Sequence, residues 1–340
     1  MRYLSVCSGI EAATVAWHPL GWTPAAFSEI EAFPRAVLAH HYPTVPLHGD
    51  FTTIEGTEYG AIDLLVGGTP CQDFSVAGLR AGIAGERGNL TLEFLRLAAR
   101  AKPRWIVWEN VPGVLSSDDG RALGAFLGGL AELGYGFGYR VLDAQYFNLA
   151  QRRARIFVVG YLGGWRRAAA VLFERESLLW DSAPRREAGK GLAPTISART
   201  KGGGGLGTDF DCDGGLIANT MAVAFNITPS NSNKDYNARP SERAQAITTS
   251  GNRPSARGGD LINGSPQAHA ATAVRRLTPR ECERLQGFPD DYTLVPYRGK
   301  PAADGPRYRA LGNSMAVPVM AWIGERIAIV DAMNVKSEAA

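Results

Sequence analysis

Cysteine and histidine are scarce in this 340-residue chain, with four of the first and five of the second. The cysteines (Cys7, Cys71, Cys212, Cys282) lie far apart, without a CxxC pair or a His/Cys cluster at metal-ligand spacing. That spacing argues against both a zinc site and a disulfide framework, and no metal is expected. Long apolar runs are missing as well. Ile62 to Val66 and Ile156 to Leu162 fall far short of the roughly 18 residues that a membrane span needs. Met1 to Cys7 runs straight into a strand-like segment, with no apolar leader and cleavage site before it. A cytoplasmic protein with no membrane partner is the expectation. Strong charge imbalance is also absent, since a net charge of +3 is too small to establish a nucleic-acid partner.

What is present is an ordinary globular composition, 45% hydrophobic and 20% charged, with enough chain for a main domain and a smaller one. The first half alternates strands and helices. Leu4 to Cys7, Ala25 to Ile30, Ile62 to Gly67, Trp105 to Trp108 and Ile156 to Leu162 read as strands by their short apolar runs. Ala12 to Trp17, Pro34 to His41, Leu90 to Ala101 and Gly120 to Leu133 read as helices. Such βαβ alternation predicts an α/β fold with a mostly parallel sheet covered by helices on both faces. Ligands in that architecture bind beyond the carboxyl ends of the strands.

After Gly163 the regular periodicity gives way to Gly-, Ser-, Asn- and Pro-rich runs, such as Lys201 to Gly205 and Pro229 to Asn233. Apolar residues still recur between the turns (Ile196, Phe210, Ile217, Phe225, Ile247), which predicts a small turn-rich β domain rather than a linker. Two segments in it, Ala193 to Arg199 and Ala244 to Ser250, are weakly alike. Positive charge gathers here: from Gly163 to Arg276 there are 15 Lys and Arg against 10 Asp and Glu. Regularity returns near Arg275. Thr278-Pro279-Arg280-Glu281 fits a capping box with Pro at the first helical position, and Val317 to Met333 reads as a final helix. The expected division is 1–162 for the α/β domain, 163–273 for the smaller turn-rich domain, and 274–340 for the end of that second lobe and a C-terminal helix returning to the first domain.

The chemistry centres on Gly67-Gly68-Thr69-Pro70-Cys71-Gln72-Asp73-Phe74-Ser75, a loop following a buried strand. An isolated cysteine after a strand is more often buried and structural. Here it follows a proline that fixes φ and two glycines that permit tight turning, a suitable mount for a reactive thiol. This loop resembles the catalytic motif of the cytosine-5 DNA methyltransferase family. Glu109-Asn110-Val111, Gln151-Arg152-Arg153-Ala154-Arg155, Arg276 to Asp290, and Gly312-Asn313-Ser314-Met315 resemble further blocks of that family, in the family's order. Together they cover nearly all of the chain outside the Gly/Ser-rich segment. The resemblance implies a Rossmann-like S-adenosylmethionine-dependent methyltransferase fold with a second, smaller recognition domain over 163–273.

It also implies roles for individual residues. C5 of cytosine is too weak a nucleophile to attack a methyl donor directly, so a thiolate must first add at C6; Cys71 is the implied nucleophile. Glu109 is the implied acid near N3, and burial after Trp105-Ile106-Val107-Trp108 is expected to raise its pKa. Arg153 and Arg155, two apart and therefore on one face of a strand, are expected to act together. Arg155 would reach the cytosine carbonyl or the thiol, and Arg153 would hold a loop or a DNA phosphate. For S-adenosylmethionine the resemblance points to Ser8, Gly9, Ile10, Glu29, Ile30, Asp50, Phe51, Gly68, Pro70, Asn313, Ser314 and Met315. Glu29 stands where the family binds the ribose hydroxyls, and Asp50 where it faces the adenine amino group. The cofactor turn departs from the usual pattern: Cys7 stands in place of Phe, and Glu11-Ala12 in place of Gly-Gly.

The target base must leave the duplex stack, so Gln72, Ser75 and Arg87, in and after the Cys71 loop, are expected to meet the substrate DNA. Arg80 and the rest of the Gly78 to Gly88 loop would close over the base. Double-stranded DNA is the expected partner of a monomeric enzyme, and a cognate restriction endonuclease is a further candidate partner. Three other readings compete with this one: methylation of cytosine in tRNA, a non-catalytic DNA-binding regulator, and a nucleotide-binding α/β protein of another kind. The last explains Gly9 and Asp50 but not Cys71, Glu109 and Arg155 together.

Overall fold

The computed structural model describes residues 1–70, 90–173, 216–218, 224–228, 237–241 and 274–337. Seven strands form its main sheet: β1 (Arg2–Val6), β2 (Thr23–Ser28), β3 (Leu47–His48), β4 (Leu64–Gly67), β5 (Trp105–Asn110), β6 (Tyr135–Asp143) and β7 (Ala154–Leu162). Their order is β3-β2-β1-β4-β5-β7-β6. β1 to β5 pair in parallel, and β7 is antiparallel to both of its neighbours. The chain therefore reverses direction across the sheet between β1 and β4, which opens a crevice beyond their carboxyl ends. Because β7 alone runs backwards, its amino end shares that edge of the sheet: Asn110 at the end of β5 lies opposite Ile156 near the start of β7.

The strands alternate between two cores, as a period of two requires. Tyr3, Leu64, Val66, Trp105, Val107, Phe157 and Val159 join one; Leu4, Val6, Leu65, Ile106, Trp108, Ile156 and Val158 join the other. The second core is covered by α3 (Leu90–Ala101) and α4 (Arg121–Glu132), whose Leu92, Phe94, Leu95, Phe126 and Leu130 are buried. The first is shared by α1 (Ala12–Trp17), α2 (Ala32–His41), α5 (Trp165–Leu172) and, from the far end of the chain, α8 (Val317–Ser337). Trp17 donates its indole N–H to the Met320 carbonyl at 2.7 Å, tying α1 to α8. The last helix thus packs against the first. Among the described residues no helix is long and apolar enough to cross a membrane.

Several expected boundaries move by one or two residues, the last helix runs four residues further, and β3, β6, α5 and the helix Asp304–Asn313 are among the elements that were not expected. α5 lies inside the 163–273 span assigned above to recognition. It nonetheless buries Ala168, Val171 and Leu172 in the first core, so it belongs with the α/β unit. Of the rest of that span the structure describes three short strands: β8 (Leu216–Ala218), β9 (Ala224–Thr228) and β10 (Asn237–Ser241). β9 and β10 pair antiparallel, and β8 pairs with β11 (Val274–Arg276). The two similar segments, Ala193 to Arg199 and Ala244 to Ser250, lie outside the described residues.

α6 (Pro279–Gln286) starts as expected, with reciprocal bonds between Thr278 and Glu281. Its Glu283 is fully buried and accepts from the Asp291 and Thr293 backbone N–H groups and from Arg307 on α7 (Asp304–Asn313) at 3.1 Å. That knot fixes Tyr292, whose hydroxyl donates to the Ile10 carbonyl at 2.9 Å in the turn after β1. Glu283→Gln removes the closest and only fully buried of the three carboxylates near Arg307, leaving Asp304 at 3.7 Å and Asp291 at 3.9 Å. It is expected to cost about 1–3 kcal/mol, read as a lower denaturant midpoint at unchanged slope.

Candidate active site

The crevice is lined by the end of β1 and its turn (Ser5 to Gly9, Glu11 to Ala13), the end of β4 (Val66 to Gly68), Glu109, and Asn313 to Met315. The sequence places these residues up to 310 positions apart, and the reversal of strand order together with the returning C-terminal segment brings them together.

The turn after β1 is built from left-handed residues: Cys7 (φ 49°), Gly9 (φ 56°) and Glu11 (φ 64°). Gly9 donates its backbone N–H to Glu29 at 2.8 Å, so the carboxyl at the end of β2 is held against the turn. Glu29 also accepts from Glu31 N at 2.7 Å; burial raises its pKa, against the pull of these N–H groups. A Cβ built on Gly9 would meet nothing within 4 Å, so open space stands above the backbone there. Exposed backbone at a glycine turn, a carboxyl beside it and a crevice at the strand reversal suit a nucleoside-containing cofactor such as S-adenosylmethionine.

Gly68 stands where a side chain does not fit: a Cβ there would lie 2.8 Å from Glu109 Oε2 and 3.4 Å from the Met315 methyl. Glu109 is 9% exposed and lies 3.2 Å from Arg155 Nε. Burial raises the Glu109 pKa, and Arg155 and Arg153 lower it by less. Arg153 is buried too. One of its terminal nitrogens donates to the Gly312 and Ser314 carbonyls at 3.0 and 2.6 Å. Of its two expected roles, holding a loop is therefore the one the geometry supplies, because a buried guanidinium presents nothing to a phosphate. Burial, followed by the neighbouring Arg155, lowers the Arg153 pKa. Arg153 Nε and Nη1 and both amide atoms of Gln151 are buried without a protein hydrogen-bond partner among the described residues.

Thr69 anchors the start of the loop. Its hydroxyl pairs with Thr91 at 3.0 Å and accepts from the Trp108 indole at 3.0 Å, while its carbonyl accepts from Asn110 Nδ2 at 3.0 Å. β4, β5 and α3 thus converge on the residue two before Cys71. Cys71, Gln72, Ser75, Arg80 and Arg87 lie outside the described residues.

Of the expected cofactor residues, Ser8, Gly9, Gly68, Asn313, Ser314 and Met315 line the crevice. Glu29 joins it through Gly9. Ile30 is 72% exposed next to Glu29, and Pro70 is exposed. Asp50 is exposed and accepts from Thr52 N, whereas the Ile10 and Phe51 side chains are buried in the two cores. Sequence reading missed Ser5, Glu11 as a structural group, and the Thr69, Thr91, Trp108 and Asn110 clamp. Thr69 stood inside the quoted motif, but its partners are separated from it by 22 to 41 positions.

A twisted, mostly parallel sheet with a nucleoside crevice at its strand reversal, and a buried acid paired with an arginine beside that crevice, defines a Rossmann-like methyltransferase. A family model described as C-5 cytosine-specific DNA methylase matches residues 1–328, and the chain belongs to that family. Members of the family use S-adenosylmethionine to methylate cytosine in DNA, as the resemblance implied. The chain is similar to a protein of Escherichia phage P1 named DNA N-6-adenine-methyltransferase, 37% identical over 96% of this chain. It spans 61% of that protein's length. It is 30% identical to the type II methyltransferase M2.BsuMI of Bacillus subtilis, over 96% of this chain and 75% of the relative. Among solved structures it shares its fold with S. pombe Dnmt2 methyltransferase (TM-score 0.60, 19% identity, covering 98% of this chain and 99% of that one). The Entamoeba histolytica methyltransferase EhMeth shares it too (TM-score 0.56, 13% identity, covering 96% and 97%).

Gly68→Ala tests the close approach at the crevice. The added methyl must push the Glu109 carboxyl aside, and a misplacement of that size is expected to lower methyl transfer about 100-fold. Far-UV circular dichroism and a retained unfolding midpoint would show that the fold persists.

Proposed function

We propose that this chain transfers a methyl group to C5 of cytosine within a specific sequence of duplex DNA, through base flipping and a covalent bond between Cys71 and C6. The observation that carries the reading is the buried Glu109–Arg155 pair, held against Gly68 at the root of the Cys71 loop. S-adenosylmethionine, when bound, supplies an electrophilic methyl group, and Ser8, Gly9, Glu29, Gly68, Asn313 and Ser314 are the residues to hold it.

In this reading the Cys71 thiolate forms a bond to C6, and the C5–C6 double-bond electrons move toward C5, which becomes nucleophilic. Glu109 holds or donates a proton at N3 as charge develops in the ring, the task of an acid with a raised pKa. Arg155 fixes the Glu109 carboxyl and faces the base carbonyl, while Arg153 locks the Gly312 to Ser314 turn. After methylation the C5 proton leaves, the S–C6 bond breaks and its electrons return to Cys71. The 163–273 segment, with its excess of basic residues, is the part proposed to read the sequence and hold the opened duplex. The enzyme is proposed to act as a monomer, with a cognate restriction endonuclease as its companion where it belongs to a type II system.

The adenine named for the phage P1 protein gives a second reading to test. An exocyclic amine attacks a methyl donor without prior thiol addition, so Cys71 and the Glu109–Arg155 pair favour cytosine. Mass spectrometry of nucleosides from DNA methylated by the purified protein is expected to show 5-methylcytosine. N6-methyladenine alone would overturn the cytosine reading. Covalent trapping on duplex DNA containing 5-fluorocytosine is expected for the wild type and not for Cys71→Ala; equal retention by both would remove Cys71 from the mechanism.

A pH profile tests Glu109. Burial keeps its acid form to higher pH than an ordinary glutamate, so the rate should fall as pH rises through that elevated pKa. Glu109→Gln should lose that falling limb along with about 10²–10⁴-fold of kcat.

A further inference from the structure

Five glutamates of the described structure are buried, and three of them have an arginine partner: Glu93 with Arg96, Glu109 with Arg155 and Glu283 with Arg307. The remaining two, Glu11 and Glu29, have no cation within ion-pair distance among the described residues, and both bear on the turn after β1. Glu29 meets the crevice through backbone N–H groups. Glu11 is different, because the protein itself occupies both of its oxygens. Ser5 Oγ donates to Oε1, and Thr14 N and Oγ1 donate to Oε2 at 3.2 and 2.6 Å. The Thr14 hydroxyl also pairs with Tyr3 OH at 2.8 Å. Burial raises the Glu11 pKa, and the donors converging on the carboxyl from Ser5 and Thr14 oppose that rise by favouring its anion.

This arrangement costs stability in two ways: a carboxylate is buried without a counter-charge among the described residues, and a non-glycine residue is held at φ 64°. Glycine at this position would avoid both. Glu11 nevertheless lines the same crevice as Ser8, Gly9 and Gly68. With both oxygens engaged, it acts on a ligand there through its field rather than through a direct bond.

We propose that Glu11 is a charge selector: its buried carboxylate favours the cationic sulfonium of S-adenosylmethionine over the neutral thioether of the product S-adenosylhomocysteine. The inference rests on the cofactor reading given above. By reciprocity, a cation in the crevice steadies the buried carboxylate, and the carboxylate raises affinity for the cation by the same factor. Transfer of the methyl group removes the positive charge, so the same residue weakens retention of the product.

The test is isothermal titration of the purified full chain with each nucleoside in the absence of DNA, at fixed ionic strength. Glu11→Gln keeps the shape and removes the charge. Its preference for S-adenosylmethionine over S-adenosylhomocysteine, taken as the ratio of the two Kd values, is expected to fall about tenfold from the wild-type ratio. Glu11→Gly, which suits the left-handed backbone, should show the same fall and covers the case in which the glutamine variant does not fold. An unchanged ratio, whether affinities stay constant or both weaken equally, assigns Glu11 a structural role only and overturns the proposal. A wild-type protein that binds neither nucleoside would instead overturn the cofactor reading itself.

Discussion

The site depends on one strand running the wrong way. β7 is antiparallel between β5 and β6, so the chain enters it at the edge of the sheet where β5 ends. Arg155, second residue of β7, thereby comes within 3.2 Å of Glu109, fifth residue of β5. A parallel β7 would have put the arginines at the opposite end of the sheet. Nine residues at about 3.3 Å each would then have separated them from the acid by a full strand length. β6 precedes β7 in the chain yet forms the outer edge, and β7 turns back into the place between β6 and β5. Gly68 completes the arrangement from the other side of β5, since any side chain there would occupy the space taken by the Glu109 carboxyl.

Around this pair the molecule uses buried polar groups as fasteners between segments distant in sequence. Thr69 joins β4 to β5 and α3, Arg153 joins the start of β7 to the α7–α8 junction, and the Glu283–Arg307 knot holds Tyr292 against the turn after β1. Each of these groups is expensive to bury and weak as a source of net stability. Their value is positional: a hydrogen bond fixes distance and direction where an apolar contact fixes only proximity.

Much of this was legible in the sequence where the signal is local. The WIVWEN run announces a fully buried strand ending in an acid, and that acid is buried with a raised pKa as expected. Thr278-Pro279-Arg280-Glu281 announces its helix start, which forms with both reciprocal bonds. β6 was missed because Tyr135–Asp143 is a half-exposed edge strand interrupted by Gly136 and Gly138, with no apolar run to mark it. α5 was missed because Gly163 and Gly164 signal a change of texture one turn before the α/β unit is complete. Arg155 could be named from its motif, but its partner follows from strand direction, which no local pattern records. Glu11 was visible as a departure from the usual glycine; that it caps α1 and accepts from Ser5 and Thr14 emerges only once β1 and α1 are packed.

The crevice draws its walls from both extremes of the described chain, residues 5–13 and 313–315. Trp17 and Met320 are bonded across 303 positions, and Tyr292 and Ile10 across 282. During synthesis the first strand and its turn must wait for these later segments to be made before their partners exist. A ribosome moving at about 5–20 residues per second needs on the order of half a minute to cover that interval. The crevice therefore stays open on one side until residues 313–315 have been made, so its completion is a late event in the synthesis of this chain.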